Sequence, residues 1–129
     1  MSIKAVVPPD FAAGAKALGV SPGVMSGGHL FLTGVTGSGP DGAMPEDPAA
    51  QFRAAFEKIG TVLRSAGLDF DAVVEMTSYH VGLRAHFDVF AAVRRDYVAE
   101  PFPAWTAVEV AGLRREGALV EIRVIAAAP

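Results

Sequence analysis

The sequence predicts an α+β sandwich, a mixed sheet with two helices on one face, in a single domain spanning 1–129. Three observations carry that expectation. Short β-branched or apolar runs alternate with two long amphipathic segments in the order β-β-(short β)-α-β-α-β-β, or β-β-α-β-α-β-β with the shortest run left out. Each helical segment shows one apolar stripe, so each can cover one layer only. A chain of 129 residues, 51% hydrophobic and 19% charged, has material for one core and no second domain.

Residues 3–7 suit a short strand. After Gly19, Gly23, Gly27 and Gly28, the run His29-Leu30-Phe31-Leu32-Thr33 reads as a buried strand. Gly34, Gly37, Gly39, Pro40 and Gly42 then make a turn-rich loop. The first long helix begins with Asp47 as N-cap and Pro48 at its first position, where a missing N–H costs nothing. Phe52, Phe56, Ile59 and Leu63 recur at spacings of four, three and four, while Arg53, Glu57, Lys58 and Arg64 take the wet side. Gly67 is the expected left-handed residue beyond its end.

Residues 72–81 are rich in β-branched and aromatic types and fit a strand that Gly82 ends. From Ala85 to Val98 a second helix places Phe87, Phe90 and Tyr97 on one side, flanked by Val93 and Val98. Pro101 and Pro103 bracket a turn. Ala104–Val110 and Leu119–Ala127 are two further strands, joined through a charged hairpin tip from Gly112 to Gly117.

Composition narrows the function. With 11 Lys+Arg against 14 Asp+Glu and a net charge of -3, the chain lacks the positive excess on which phosphate-backbone binding relies. The absence of cysteine removes disulfides, thiolate catalysis and Cys-based metal sites, and points to a reducing, cytoplasmic compartment. No metal or cofactor is implied. The start has no apolar region of signal-peptide length, and nothing approaches the roughly 18 apolar residues that span a bilayer. The charged fraction is below the roughly 25% usual for soluble domains, and the mean hydropathy is +0.35. A short chain cannot bury that much apolar surface in one core, so burial against other copies is expected. The alternative is a large monomeric core beneath a Gly- and Ala-rich surface.

Acid–base candidates are few. His29, His80 and His86 are scattered, and none pairs at the i, i+4 spacing of a helical metal site. His80 lies at a strand end, a common place for pocket residues. Gly34-Val35-Thr36-Gly37-Ser38-Gly39 follows a strand but has neither the dinucleotide register nor a P-loop lysine. Ser21, Ser26 and Ser38 each fail the nucleophile-elbow pattern. Glu121 lies in an otherwise apolar strand, and Glu109 shares a strand face with Trp105 and Ala107. A charge so placed wants a cleft or an ion pair, with Arg123 and Arg53 as candidate partners.

Pro103-Ala104-Trp105-Thr106-Ala107-Val108-Glu109-Val110-Ala111-Gly112-Leu113, then Ala118-Leu119-Val120-Glu121-Ile122 and Ile125-Ala126, resembles the C-terminal signature of the RidA/YjgF family, the endoribonuclease L-PSP-like proteins. Phe31-Leu32-Thr33-Gly34, Gln51, Leu63 to Gly67 and Val73-Val74-Glu75-Met76-Thr77 fall in the same order, so the resemblance runs from about residue 14 to the end. It implies a chorismate-mutase-like fold and a homotrimer with a central barrel and three pockets at the subunit clefts. It also implies, in the deaminase branch, cofactor-free hydrolysis of enamine/imine intermediates such as 2-aminoacrylate to 2-keto acids and ammonium. There an arginine clamps the substrate carboxylate, backbone groups near a strand end hold the nitrogen, and a glutamate orients water.

Carried over by position, Glu121 stands for the glutamate and Thr33-Gly34 for the strand end. Trp105 occupies the place of the clamping arginine, Ala107 that of a frequent cysteine, Val20 that of a pocket tyrosine, Ala91 that of an asparagine, and Arg114 that of a proline. An indole cannot form a charge-assisted fork with a carboxylate. Arg123 and Arg84 are candidate substitutes, and Trp105 reads equally as interface packing or as a pocket floor. The expected function is a homotrimer that binds a small metabolite at a cleft lined by Trp105, Ala107 and Glu121. As an enzyme it would be a hydrolase of C–N bonds acting on an imine/enamine-type or related substrate other than 2-aminoacrylate. The alternative is a non-catalytic trimer that binds small ligands or partner proteins. Deamination of 2-iminobutanoate/2-iminopropanoate stands behind both because the arginine is missing, and endoribonuclease activity because no basic face exists.

Overall fold

Residues 3–129 are described by a computed structural model. β1 (Lys4–Val6), β2 (Gly23–Ser26) and β3 (His29–Leu32) form an antiparallel meander. β6 (Val120–Ala127) runs antiparallel between β3 and β4 (Val73–His80), and β5 (Ala104–Glu109) lies parallel to β4 at the edge, giving the order β1-β2-β3-β6-β4-β5. The family resemblance anticipated this mixed α+β fold.

α2 (Pro48–Ser65) and α3 (Leu83–Arg95) pack on each other and on the sheet. Asp47 caps α2 as expected, its Oδ2 accepting the Ala50 N–H at 3.0 Å. At the other end Gly67 takes φ +76°, a left-handed conformation that costs glycine nothing. The Gly67 N–H then reaches the Arg64 carbonyl and the Leu68 N–H the Leu63 carbonyl, a Schellman closure. Phe52, Phe56, Ile59 and Leu63 are all sealed in the core.

The sheet contributes alternate residues to that core. Leu30 and Leu32, Met76, Ser78 and His80, and Val120, Ile122 and Val124 face the helices and are buried. Phe31, Thr77, Tyr79, Glu121, Arg123 and Ile125 alternate with them and face the other way. Among the described residues that second face stays open, its side chains exposed or half-buried, with Phe31 45% exposed.

Three sequence expectations need correction. The Gly-rich approach to residue 29 contains a helix, α1 (Ala12–Leu18), and the strand β2. α1 has seven residues and buries Ala15 alone, so no apolar stripe could announce it. Among the described residues there are therefore three α-helices, of which α2 and α3 form the layer predicted. Secondly, β5 and β6 do not form a hairpin, because β4 lies between them. The β4–α3–β5 unit is a parallel crossover, and residues 110–119 carry the chain back across β4. Thirdly, the aromatic stripe of α3 is less buried than its periodicity suggests. Phe90 is sealed, Phe87 is 38% exposed, and Tyr97 lies past the helix end, stacked on Phe56 at 4.8 Å.

Candidate functional site

The expected site residues fall into two groups on opposite faces of the sheet. On the helix side stands Trp105, paired in register with Met76 on β4. Its ring stacks on Phe87 (centroids 5.6 Å apart, planes 3° from parallel) and contacts Phe90 at 5.9 Å. The Arg94 guanidinium sits 4.2 Å from the indole centroid. Phe87, Ala91 and Arg94 are four and three residues apart and so share one face of α3. Ala107, two residues beyond Trp105 and paired with Ser78, lies on the same side of the sheet.

A polar chain runs inward from this group. Trp105 Nε1–H donates to Ser78 Oγ at 2.9 Å, and Ser78 Oγ shares a second hydrogen bond with His80 Nε2 at 2.8 Å. His80 is 1% exposed and stands edge-on to Phe90 at 4.7 Å, with Nδ1 buried and unpartnered. Burial pushes the His80 pKa below the usual histidine value, against a smaller upward pull from Glu109. The strand-end histidine is therefore a neutral core group behind the site rather than a pocket side chain. Because the Trp105 N–H is already bonded, the indole has no donor left for a ligand.

Glu109 faces neither a pocket nor an arginine partner. Its two oxygens accept the Gly82 N–H at 3.1 Å and the Leu83 N–H at 2.7 Å, closing the N-terminus of α3. These backbone bonds hold its carboxyl below the usual glutamate range. The ion pair considered for it with Arg53 is replaced by Arg53–Asp96 at 2.8 Å.

The second group lies on the open face. Glu121 is half-buried in β6 beside Tyr79 of β4. A Cβ at Gly34 would come within 2.7 Å of Glu121 Oε2, so glycine is what lets the backbone approach the carboxylate this closely. The β3–β6 ladder lapses after Phe31–Ile125 and resumes at Val35–Ile122, which sets three residues, Leu32 to Gly34, against two. This bulge turns the Thr33–Gly34 backbone toward Glu121. Thr33 Oγ1 donates to the Ser21 carbonyl at 2.7 Å, tying the loop that carries the exposed Val20 to the same corner.

Within one chain, then, Trp105, Ala107 and Ala91 are brought together, as are Glu121, Gly34, Thr33 and Val20, but the two groups do not meet. Ser78 and Arg94 also belong to the Trp105 group, though sequence spacing alone does not single them out. The one local hint at Arg94 is a cation seven residues after Phe87 inside an otherwise apolar helical stripe. Of the proposed arginine substitutes, Arg123 points to the open face, and Arg84 is exposed near Glu109. Among the described residues, no cluster of three or more His, Asp or Glu is arranged to hold a metal ion, and no helix is long and apolar enough to cross a membrane.

Comparison with known proteins bears on this arrangement. The family model described as Endoribonuclease L-PSP matches residues 13–128. The RutC family protein YjgH of Escherichia coli strain K12 is 37% identical over 110 residues, covering 84% of this chain and 82% of its own length. The 2-iminobutanoate/2-iminopropanoate deaminase of Bos taurus is 32% identical over 99 residues, covering 75% and 71%. A solved structure of protein YJGH superposes with a TM-score of 0.89 at 34% identity, covering all of this chain and 98% of the other.

Proposed function

The chain belongs to the endoribonuclease L-PSP family, also known as RidA/YjgF, and from that premise we propose that it is a homotrimeric hydrolase of small imine- or enamine-type metabolites other than 2-aminoacrylate. The observation that carries the reading is the division of the site. Trp105 and Glu121 lie on opposite faces of one sheet, so a pocket containing both needs two copies of the chain. A ring of three copies would set the Trp105 face of one subunit against the Glu121 corner of the next, three times over. It would also cover the open sheet face.

In such a cleft Glu121 accepts a proton from water as the oxygen attacks the C=N carbon, and the nitrogen takes up a proton. The resulting carbinolamine collapses to a carbonyl and ammonia, with no electrons left over and no cofactor required. The Thr33–Gly34 backbone, which lies beside Glu121, would hold the polar end of the substrate. By the family resemblance Trp105, Ala107, Val20 and Ala91 set this chain apart from the deaminase branch, and position 105 is where a charge is lost. The Trp105 indole N–H is committed to Ser78 and its ring is in contact with Phe87 and Arg94, so the indole itself gives a ligand no hydrogen bond and no charge.

The test couples the protein to a dehydratase that generates 2-aminoacrylate, and separately to an amino-acid oxidase acting on a panel of amino acids, and follows keto-acid release. Wild type is expected to leave 2-aminoacrylate near background while accelerating hydrolysis of at least one other imine. Glu121→Gln should lower that rate by roughly 10²-fold or more. Release from 2-aminoacrylate equal to that of an arginine-bearing relative would contradict the proposed substrate shift. If no imine is turned over and Glu121→Gln leaves ligand binding unchanged, the non-catalytic trimer is the better reading.

A further inference from the structure

We propose that Arg94 is the ligand-binding cation of this site, clamping a carboxylate of the substrate from helix α3 with Trp105 as its platform. The inference rests on the reading of the Trp105 face as half of a ligand site, and it adds a charge class to the ligand. Arg94 is 7% exposed, yet among the described residues its guanidinium makes no ion pair and no side-chain hydrogen bond. The Nε atom is sealed and unpartnered. Three other arginines of the helical layer are engaged, Arg53 with Asp96 at 2.8 Å, Arg64 with Asp69 at 3.7 Å and Arg95 over Phe102 at 5.3 Å, and Arg84, without such a partner among the described residues, is exposed.

A buried guanidinium without a counter-charge is costly, and contact with an indole face compensates only part of the lost hydration. What Arg94 lacks is an acceptor of its N–H groups, and a carboxylate supplies two oxygens in the geometry a guanidinium prefers. The surroundings suit that occupant. Burial, and after it the like charge of Arg95, holds the Arg94 pKa below the usual arginine value, and among the described residues no carboxylate is paired with it. The Trp105 N–H points away to Ser78, which leaves the ring free to act as a flat support that holds the guanidinium in place. Ala91, one helical turn before Arg94, has no polar group to compete for the anion.

The chain contains one tryptophan, so intrinsic fluorescence reads this stack directly. Wild type, Arg94→Met and Arg94→Lys are titrated with 2-oxobutanoate and with butanone, its neutral counterpart. Circular dichroism and sedimentation confirm fold and assembly for each. Wild type is expected to show a saturable fluorescence change with 2-oxobutanoate. Arg94→Met, which keeps the aliphatic stem, should bind it roughly 10- to 100-fold more weakly, with Arg94→Lys between the two and butanone equally weak throughout. Equal affinity of wild type and Arg94→Met for 2-oxobutanoate would overturn the role of Arg94 and leave the site reading standing. No saturable response of wild type to either probe would remove both. A shift of Arg94→Met to a smaller species would assign the charge to a subunit contact and also overturn the proposal.

Discussion

Trp105 shows how much of a residue's setting is absent from its position in the sequence. From sequence it stands where the resemblance expects an arginine, and it reads equally as interface packing or as a pocket floor. In the fold, its N–H is bonded to Ser78 and its ring carries the Arg94 guanidinium. Two other residues make predictions at this scale. His80 is buried neutral, with its pKa lowered mainly by burial, so the unfolded chain binds a proton that the folded chain refuses as pH falls below about 6.5. Stability should therefore drop as pH falls below that value and level off below the folded-state pKa. A lower urea midpoint at pH 5.5 than at pH 7.5 in wild type, with that part of the difference removed in His80→Gln, is the expected result. Lys58 donates to Ser38 Oγ at 2.9 Å, and burial, helped by Arg115, brings its pKa down to about 8. At pH 8, limited acetylation read by peptide mass spectrometry should modify Lys58 ahead of Lys4 and Lys16. Neither role was legible in the sequence, where Lys58 is one cation on a wet helical face and His80 one histidine at a strand end. Both depend on long-range burial that local spacing does not encode.

Among the elements, α2 was legible at both ends and along its stripe, because capping, proline placement and 3.6-residue periodicity are all local. Gln51 was noted only as part of a family pattern, and the structure supplies its reason. It is buried, donates to the Pro45 and Gly117 carbonyls at 3.2 Å and accepts the Leu119 N–H at 2.6 Å, binding two loops to the first turns of α2. Gln51→Leu should cost about 1–3 kcal/mol in urea unfolding, since it removes the side-chain partner of three part-buried backbone groups without leaving a cavity. The elements that escaped sequence reading are those lacking such local signals. α1 is short and buries one alanine, and β2 is four residues long. The β5–β6 hairpin was misread because alternation locates strands without saying which strand lies between them. Parity within β5 did hold: Glu109 shares the face of Trp105, though its task is to close α3.

At the scale of the whole molecule, the low charged fraction has a location. The open sheet face carries Phe31, Ile125 and Tyr79 beside Glu121 and Arg123, which are exposed or half-buried among the described residues. Phe31→Glu should leave the protomer fold intact, because that side chain is already exposed within one chain, and should shift sedimentation from a trimer toward smaller species. The same geometry governs the candidate site. Residues carried over from the family were read from sequence as a single pocket, yet strand parity places Trp105 and Ala107 on one side of the sheet and Glu121 on the other. The pattern of the sequence held the parity of each strand but not the register between β4, β5 and β6, which is where the separation arises. The proposed pocket is thus complete only between copies. The absence of cysteine makes that directly testable by treating a Thr33→Cys, Ala107→Cys double variant with a short bis-maleimide and resolving the products on a denaturing gel. Covalent dimers and trimers from the double variant, and monomers from either single variant, are the predicted result; monomers alone from the double variant would contradict a site shared between subunits.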